Sequence, residues 1–252
     1  MKTPVSDRMM TDAFTAALLG VLASSALVIG ALLALWMRPS NKTVGLIMGF
    51  GAGALISAVA YELVEEAISA GAHVAAGLSL GALVYFAGDW LVDRRGGQDR
   101  KDIAGGASAG SGQAIFLGTL LDGIPESFVL GAGFALGEPV ELAFLIAVFI
   151  SNLPEAMAAT SSLQSAGRTR GGILIMWLWL VLGSAIAAAA GYFVVLVIPS
   201  AEGAFAQAFA AGAVLTMLAD AMMPEAFQHG GLVAGLITVL GFAVATALSF
   251  AG

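Results

Sequence analysis

Cysteine is absent from the 252 residues. The chain therefore forms neither disulfides nor thiolate metal sites, and its redox compartment stays open. Charge is scarce as well. Asp, Glu, Lys and Arg make up 11% of the chain, against about 25% in a typical soluble domain. There are two histidines and ten basic residues, and no nucleic-acid partner is expected. The strict alternation of polarity that marks half-buried strands is also missing, which disfavours a β-barrel.

What fills the chain instead is apolar sequence. Hydrophobic residues reach 59%, and the mean hydropathy is +0.95. Eight apolar stretches recur, at about 13–36, 43–67, 72–92, 113–135, 139–162, 171–198, 204–226 and 231–251. Each is long enough for a helix to cross the roughly 30 Å hydrocarbon core of a bilayer. The 33 glycines suit helices that pack closely on small residues. The fold class expected is all-α: a polytopic membrane protein of eight transmembrane helices, with residues 1–252 forming a single transporter domain. The first stretch follows Lys2 and Arg8, but its apolar run of about 24 residues exceeds the roughly 7–15 of a signal peptide core. It reads as a retained helix.

Orientation follows from the basic residues. Arg38 and Lys42 lie between spans one and two, Arg94, Arg95, Arg100 and Lys101 between three and four, and Arg168 and Arg170 between five and six. All three loops share one side of an eight-span chain, and the positive-inside rule makes that side cytoplasmic. Glu138, Glu141 and Glu202 mark the other side. Only the N-terminal tail, with Lys2 and Arg8 beside Asp7 and Asp12, dissents. The expectation is a protein of the cytoplasmic membrane with both termini outside. The polar, Gly/Ser-rich segment 93–112 is expected to be a flexible cytoplasmic loop.

Two proline-acid sequences interrupt this apolar background: Asp122-Gly123-Ile124-Pro125-Glu126-Ser127 in span four and Ser151-Asn152-Leu153-Pro154-Glu155-Ala156 in span five. An ionisable residue at membrane depth is costly unless it faces a partner, a cavity or an ion. Each proline also frees the carbonyl four residues before it from its helical bond. Residues three and four apart share a helix face, so Asp122 pairs with Glu126, and Ser151 and Asn152 pair with Glu155. Facing one another, these helices would offer three carboxylates and an amide oxygen, a set suited to a cation, for which protons should compete.

A second repeat links spans two and seven. Phe50-Gly51-Ala52-Gly53-Ala54-Leu55 matches Phe209-Ala210-Ala211-Gly212-Ala213-Val214, and Glu66-Ala67 matches Glu225-Ala226, at a constant offset of 159 residues. The two spans cross the bilayer in opposite directions, so inverted-topology repeats are expected, with the site near the midplane where they meet. Glu62, Asp220 and Glu225, as further acids within the spans, join the candidate ligands. Asp89, Glu65 and Glu138 lie near span ends and read as interfacial acids. His73 and His229 read as solvated loop histidines, and Met222 and Met223 as packing residues.

Together these residues resemble the ZIP (Zrt/Irt-like) family of divalent metal transporters. The resemblance spans the chain through its topology, while its specific part is the two Pro-Glu motifs. Pro125-Glu126 and Pro154-Glu155 match the motif cores of the family's fourth and fifth helices, and Asn152 matches a polar ligand position. The resemblance implies that Glu126, Asn152 and Glu155 are metal ligands, and that Asp220 and Pro224-Glu225 correspond to a polar segment of helix seven. It also implies an alternating-access carrier in which a bundle containing helices four and five slides against two and seven, and it suggests a dimer. The sequence departs from the family at Asp122, where the family has histidine, at Gly123, Ser127 and Ala156, and in span six, which has no acid for a second metal position. Carboxylate in place of imidazole makes the donor set harder, which moves iron(II) and manganese(II) up beside zinc.

The expectation is transport of a divalent transition metal, with the ion as substrate, no cofactor and no enzymatic activity. A metal exporter or channel of the same fold and a proton-coupled transporter of a small organic cation remain as alternatives. An intramembrane metalloenzyme would need a metal-bound water and a general base, typically in a His-Glu-x-x-His pattern, which this chain does not contain.

Overall fold

The computed structural model describes residues 5–69, 73–94, 111–136, 142–197 and 200–250. Within them the chain is helical, with no strand. Eight helices follow one another. They are α1 (Val5–Met37), α2 (Asn41–Ser69), α3 (Val74–Val92), α4 (Ser111–Leu136), α5 (Leu142–Ser165), α6 (Arg170–Val197), α7 (Ser200–Met217 continued by Leu218–Met222 and Met223–Gly230) and α8 (Val233–Ser249). Seven are long and apolar enough to cross a membrane, and α8 is a shorter apolar helix of 17 residues. At about 1.5 Å per residue α8 extends about 25 Å, the lower limit for a span. This is the architecture of a multi-pass membrane protein, as the apolar stretches predict.

The connections are short and chemically explicit. Pro39 cannot continue α1, and Arg38 before it takes φ 46°. Ser40 then caps α2 by accepting from the Thr43 amide at 3.1 Å. After α5, Gly167 turns left-handed at φ 77°, and the Arg168 amide closes back on the Leu163 carbonyl at 3.0 Å, as in a glycine-terminated helix. Thr169 caps α6 through its hydroxyl, which accepts from the Gly172 amide at 3.2 Å. α1 begins eight residues before the first apolar stretch and α7 ends four residues after the seventh, because helical hydrogen bonding continues past the point where hydropathy falls. Residues 95–110 of the expected loop lie outside the described residues, as do Glu138 and Glu141. Asp93 and Arg94 continue the helical winding of α3, so the loop is narrower than 93–112 at that end.

The tightest helix pairs fall into two groups, which are joined where α2 lies against α5. α2 lies against α8, and α3 against α7; α1 lies against α5 and α6, and α4 against α6. Trp177 is fully buried at the centre of the second group, among side chains of α1, α4, α5 and α6, and its indole N–H donates to the Thr160 hydroxyl at 2.9 Å. The outer surface is apolar, with Trp36, Val197 and Leu232 largely exposed, as expected where lipid is the solvent.

Close approaches at glycine hold the first group together. A Cβ on Gly53 would overlap the Thr238 carbonyl, and one on Gly241 would overlap that of Phe50. The α3–α7 pair repeats this: Gly212 lies against the Leu78 carbonyl and Gly81 against that of Phe209. Gly53 and Gly212, and Phe50 and Phe209, are separated by the same 159 residues as the sequence repeat. Both repeats also contain a π-helical turn, Val59–Val64 in α2 and Leu218–Met222 in α7, starting 159 residues apart.

Candidate functional site

Asp122 and Glu126 lie one turn apart on α4, each only 2% exposed. Thr119, one turn before Asp122 on the same face, is buried too. Pro125 stands inside α4 and Pro154 inside α5 without ending either helix. Each proline removes an amide donor, so the carbonyls of Leu121 and Ile150 lose their usual helical partner. The Ile150 carbonyl lies beside Gly51 of α2, where a Cβ would come to 3.4 Å from it. Only a small residue lets the α2 backbone approach the interrupted turn so closely.

Tyr85 of α3 donates its hydroxyl to Asp122 Oδ1. Ser151 is buried and donates to the Val148 carbonyl of its own helix at 2.9 Å. Asn152, at 4% exposed, is buried beside it in sequence.

Glu155 and Glu225 are half-buried, and they line one small cavity of about 10 Å³ with Thr119, Met48 and Met222. That is about the space for one water-sized particle. The cavity joins side chains of four helices: α2 through Met48, α4 through Thr119, α5 through Glu155 and α7 through Glu225. It lies at the boundary between the two packing groups.

Other expected site residues lie elsewhere. Glu62, in the π-helical turn of α2, is 7% exposed and accepts from the Ser249 hydroxyl of α8 at 2.7 Å. Asp220, in the matching turn of α7, is exposed. Among the described residues, no three His, Asp or Glu side chains gather into a ready-made metal site. The acids stand at separate places instead: the Asp122–Glu126 face of α4, the Glu155–Glu225 cavity, and Glu62 of α2 against Ser249 of α8.

Asp89, near the end of its span, is 7% exposed and faces inward from α3. One reading needs revision. His229 falls in the last turn of α7, not in a loop, and its Nε2 is buried with no hydrogen-bond partner; α2 crosses there with Gly45 against the His229 Cβ. Three residues at the site escaped sequence reading. Thr119 could have been found by stepping back three residues from Asp122. Tyr85 and Met48 reach the site through tertiary packing, which leaves no local signal. The Met222 that reads as packing also lines the cavity. No protein-family model matches this chain, and no curated protein matches it.

Proposed function

We propose that this protein carries divalent transition-metal cations across a membrane by alternating access. The observation that supports this reading best is the Glu155–Glu225 cavity. Two carboxylates from different helices share a water-sized space inside a largely apolar bundle, and their combined charge of −2 balances one divalent ion. Thr119 adds a neutral oxygen. Met48 and Met222 line the same space with polarizable sulfur, which favours a borderline ion such as zinc or iron(II) over magnesium or calcium, whose ligands are oxygen.

On this reading Asp122, Glu126 and Asn152 provide further oxygen positions along α4 and α5. The ion passes between these and the cavity. The two packing groups correspond to two bodies: α1, α4, α5 and α6 carry the Pro-Glu motifs, while α2, α3, α7 and α8 form a frame. The mirrored glycine contacts and the π-helical turns at one shared offset support an inverted repeat relating the halves of that frame. Membership of the ZIP family is part of this proposal. It rests on the two Pro-Glu motifs.

The test is uptake into proteoliposomes against a panel of zinc, iron(II), manganese(II), cobalt(II), magnesium and calcium. Glu126→Ala and Glu155→Ala should each abolish uptake while leaving monodisperse protein in the membrane fraction. Uptake at the unsubstituted rate by either variant would remove the proposal. Uptake of an organic cation with no dependence on metal would replace it with proton-coupled organic transport.

A further inference from the structure

A second recess, larger than the cavity at the acids, lies elsewhere. A groove of about 730 Å³ opens between α4, α5 and α6 at the end where α5 turns into α6. Its size falls within the roughly 300–1,000 Å³ of small-molecule sites. Phe116 and Leu117 of α4 form one wall, and Ile175 and Trp179 of α6 form the other. Leu117, Ile175 and Trp179 are 41%, 58% and 60% exposed, so the groove faces outward, where acyl chains would lie.

Arg168 and Thr169 stand at its mouth. Arg168 is exposed, and so is Arg170, which opens α6. Among the described residues, no acid lines the groove. The fixed charge that they place at the opening is positive, while the walls below it are apolar. From Arg170 to Trp179 the α6 wall extends about 14 Å at 1.5 Å per residue, close to half of the roughly 30 Å hydrocarbon core. Charge at one end and apolar depth of one leaflet at the other match one type of molecule.

We infer that this groove binds an anionic phospholipid of the leaflet on the basic-loop side, with the headgroup phosphate at Arg168 and one acyl chain between Leu117 and Trp179. Basic residues at the ends of membrane helices attract anionic headgroups in this manner. Arginine suits the role through its planar array of donors for phosphate oxygens. The occupant is a lipid rather than free phosphate because the apolar walls contribute nothing to an inorganic ion. The inference does not depend on what the protein transports.

The experiment is native mass spectrometry of the full-length protein, purified in mild detergent and titrated with phosphatidylglycerol or phosphatidylcholine of matched chains. Phosphatidylglycerol should be retained in preference. Arg168→Gln should reduce its retention about fivefold, the ratio expected for loss of one basic contact at a membrane surface. Arg38→Gln, on the same side but not lining the groove, should leave it unchanged. Leu117→Trp, which fills the groove and keeps the charge, should reduce retention of both lipids. Inorganic phosphate should not compete. Equal retention of the two lipids, or an equal loss in Arg168→Gln and Arg38→Gln, would overturn the inference. So would a disulfide between two copies of an Ile175→Cys variant, which would assign the groove to a second chain; the absence of native cysteine makes that result unambiguous.

Discussion

Replacing Glu155 and Glu225 by glutamine, singly and together, distinguishes a shared ion site from two unrelated acids. Glutamine keeps the volume and removes one negative charge. At about 4 Å and an effective dielectric near 20, a pair of unit charges interacts by about 4 kcal/mol. Desolvating the carboxylate offsets part of this, and breaking a buried charge pair costs about 3–5 kcal/mol in practice. Both residues are half-buried, so solvent screening places them at the lower end. About 3 kcal/mol corresponds to a loss of affinity of about 150-fold for each single variant. If both carboxylates hold the same ion, the second substitution adds far less than the first, since the ion has already lost its two-sided site. The expected double variant is within about tenfold of the singles, a coupling of the size seen between residues in contact. The assay is metal titration of detergent-purified protein by calorimetry, with Asp220→Asn as an exposed control expected to stay within about twofold of the parent. Losses that multiply in the double variant would refute a shared ion.

Three further substitutions test the packing and the ligand set. Thr160→Val removes the acceptor of the buried Trp177 N–H and should destabilise by about 1–2 kcal/mol, lowering the melting midpoint by about 2–8 °C; an unchanged midpoint would mean that another acceptor replaces it. Gly53→Val and Gly212→Val should each cost about 1–3 kcal/mol or more, because the obstacle is a backbone carbonyl that has little room to move, while Gly171→Ala, with nothing within 4 Å, should be close to neutral in the same melting assay. Asp122→His should move preference toward zinc relative to manganese(II), since imidazole is the softer donor; the same order of metals in competition would place Asp122 outside the ligand set.

The eight helices were legible because bilayer thickness imposes a minimum apolar length, and that constraint is written into local composition. Helix ends were less so. At Val5 and Gly230 the helix outruns the apolar stretch, since backbone hydrogen bonding does not require a hydrophobic side chain. Glu126 and Glu155 stand out because a proline-acid pair has no packing reason to occur in apolar helices. Their neighbours in space do not. Nothing near Tyr85 announces that its hydroxyl reaches Asp122 across 37 positions. Glu62 and Asp220 were legible as acids within apolar spans, but not where they face: both lie in π-helical turns, where the winding changes and side chains shift to a different face. Glu62 accordingly meets Ser249 of α8, and Asp220 points to the exterior.

The shared offset leads to a last expectation about the other access state. A similarity between Ala- and Gly-rich helices can arise by chance, but reciprocal contacts need not follow from it. Here Gly53 meets Thr238 while Gly212 meets Leu78, and Phe50 meets Gly241 while Phe209 meets Gly81, so the two halves of the frame pack by the same rule. Under the same 159-residue offset the counterpart of Glu225 is Glu66, near the opposite end of the frame from Glu225 because α2 and α7 run in opposite directions. If α5 carries the ion past a frame of inverted halves, Glu155 is paired with Glu225 in one state and with Glu66 in the other. Glu66→Gln should then slow transport about tenfold or more while leaving metal affinity in the Glu225-facing state within about twofold, a separation of rate from binding. Transport and equilibrium binding measured on the same preparation decide it. Equal losses in both would assign Glu66 to ordinary stability, and full transport would dissolve the link between the repeat and the path of the ion.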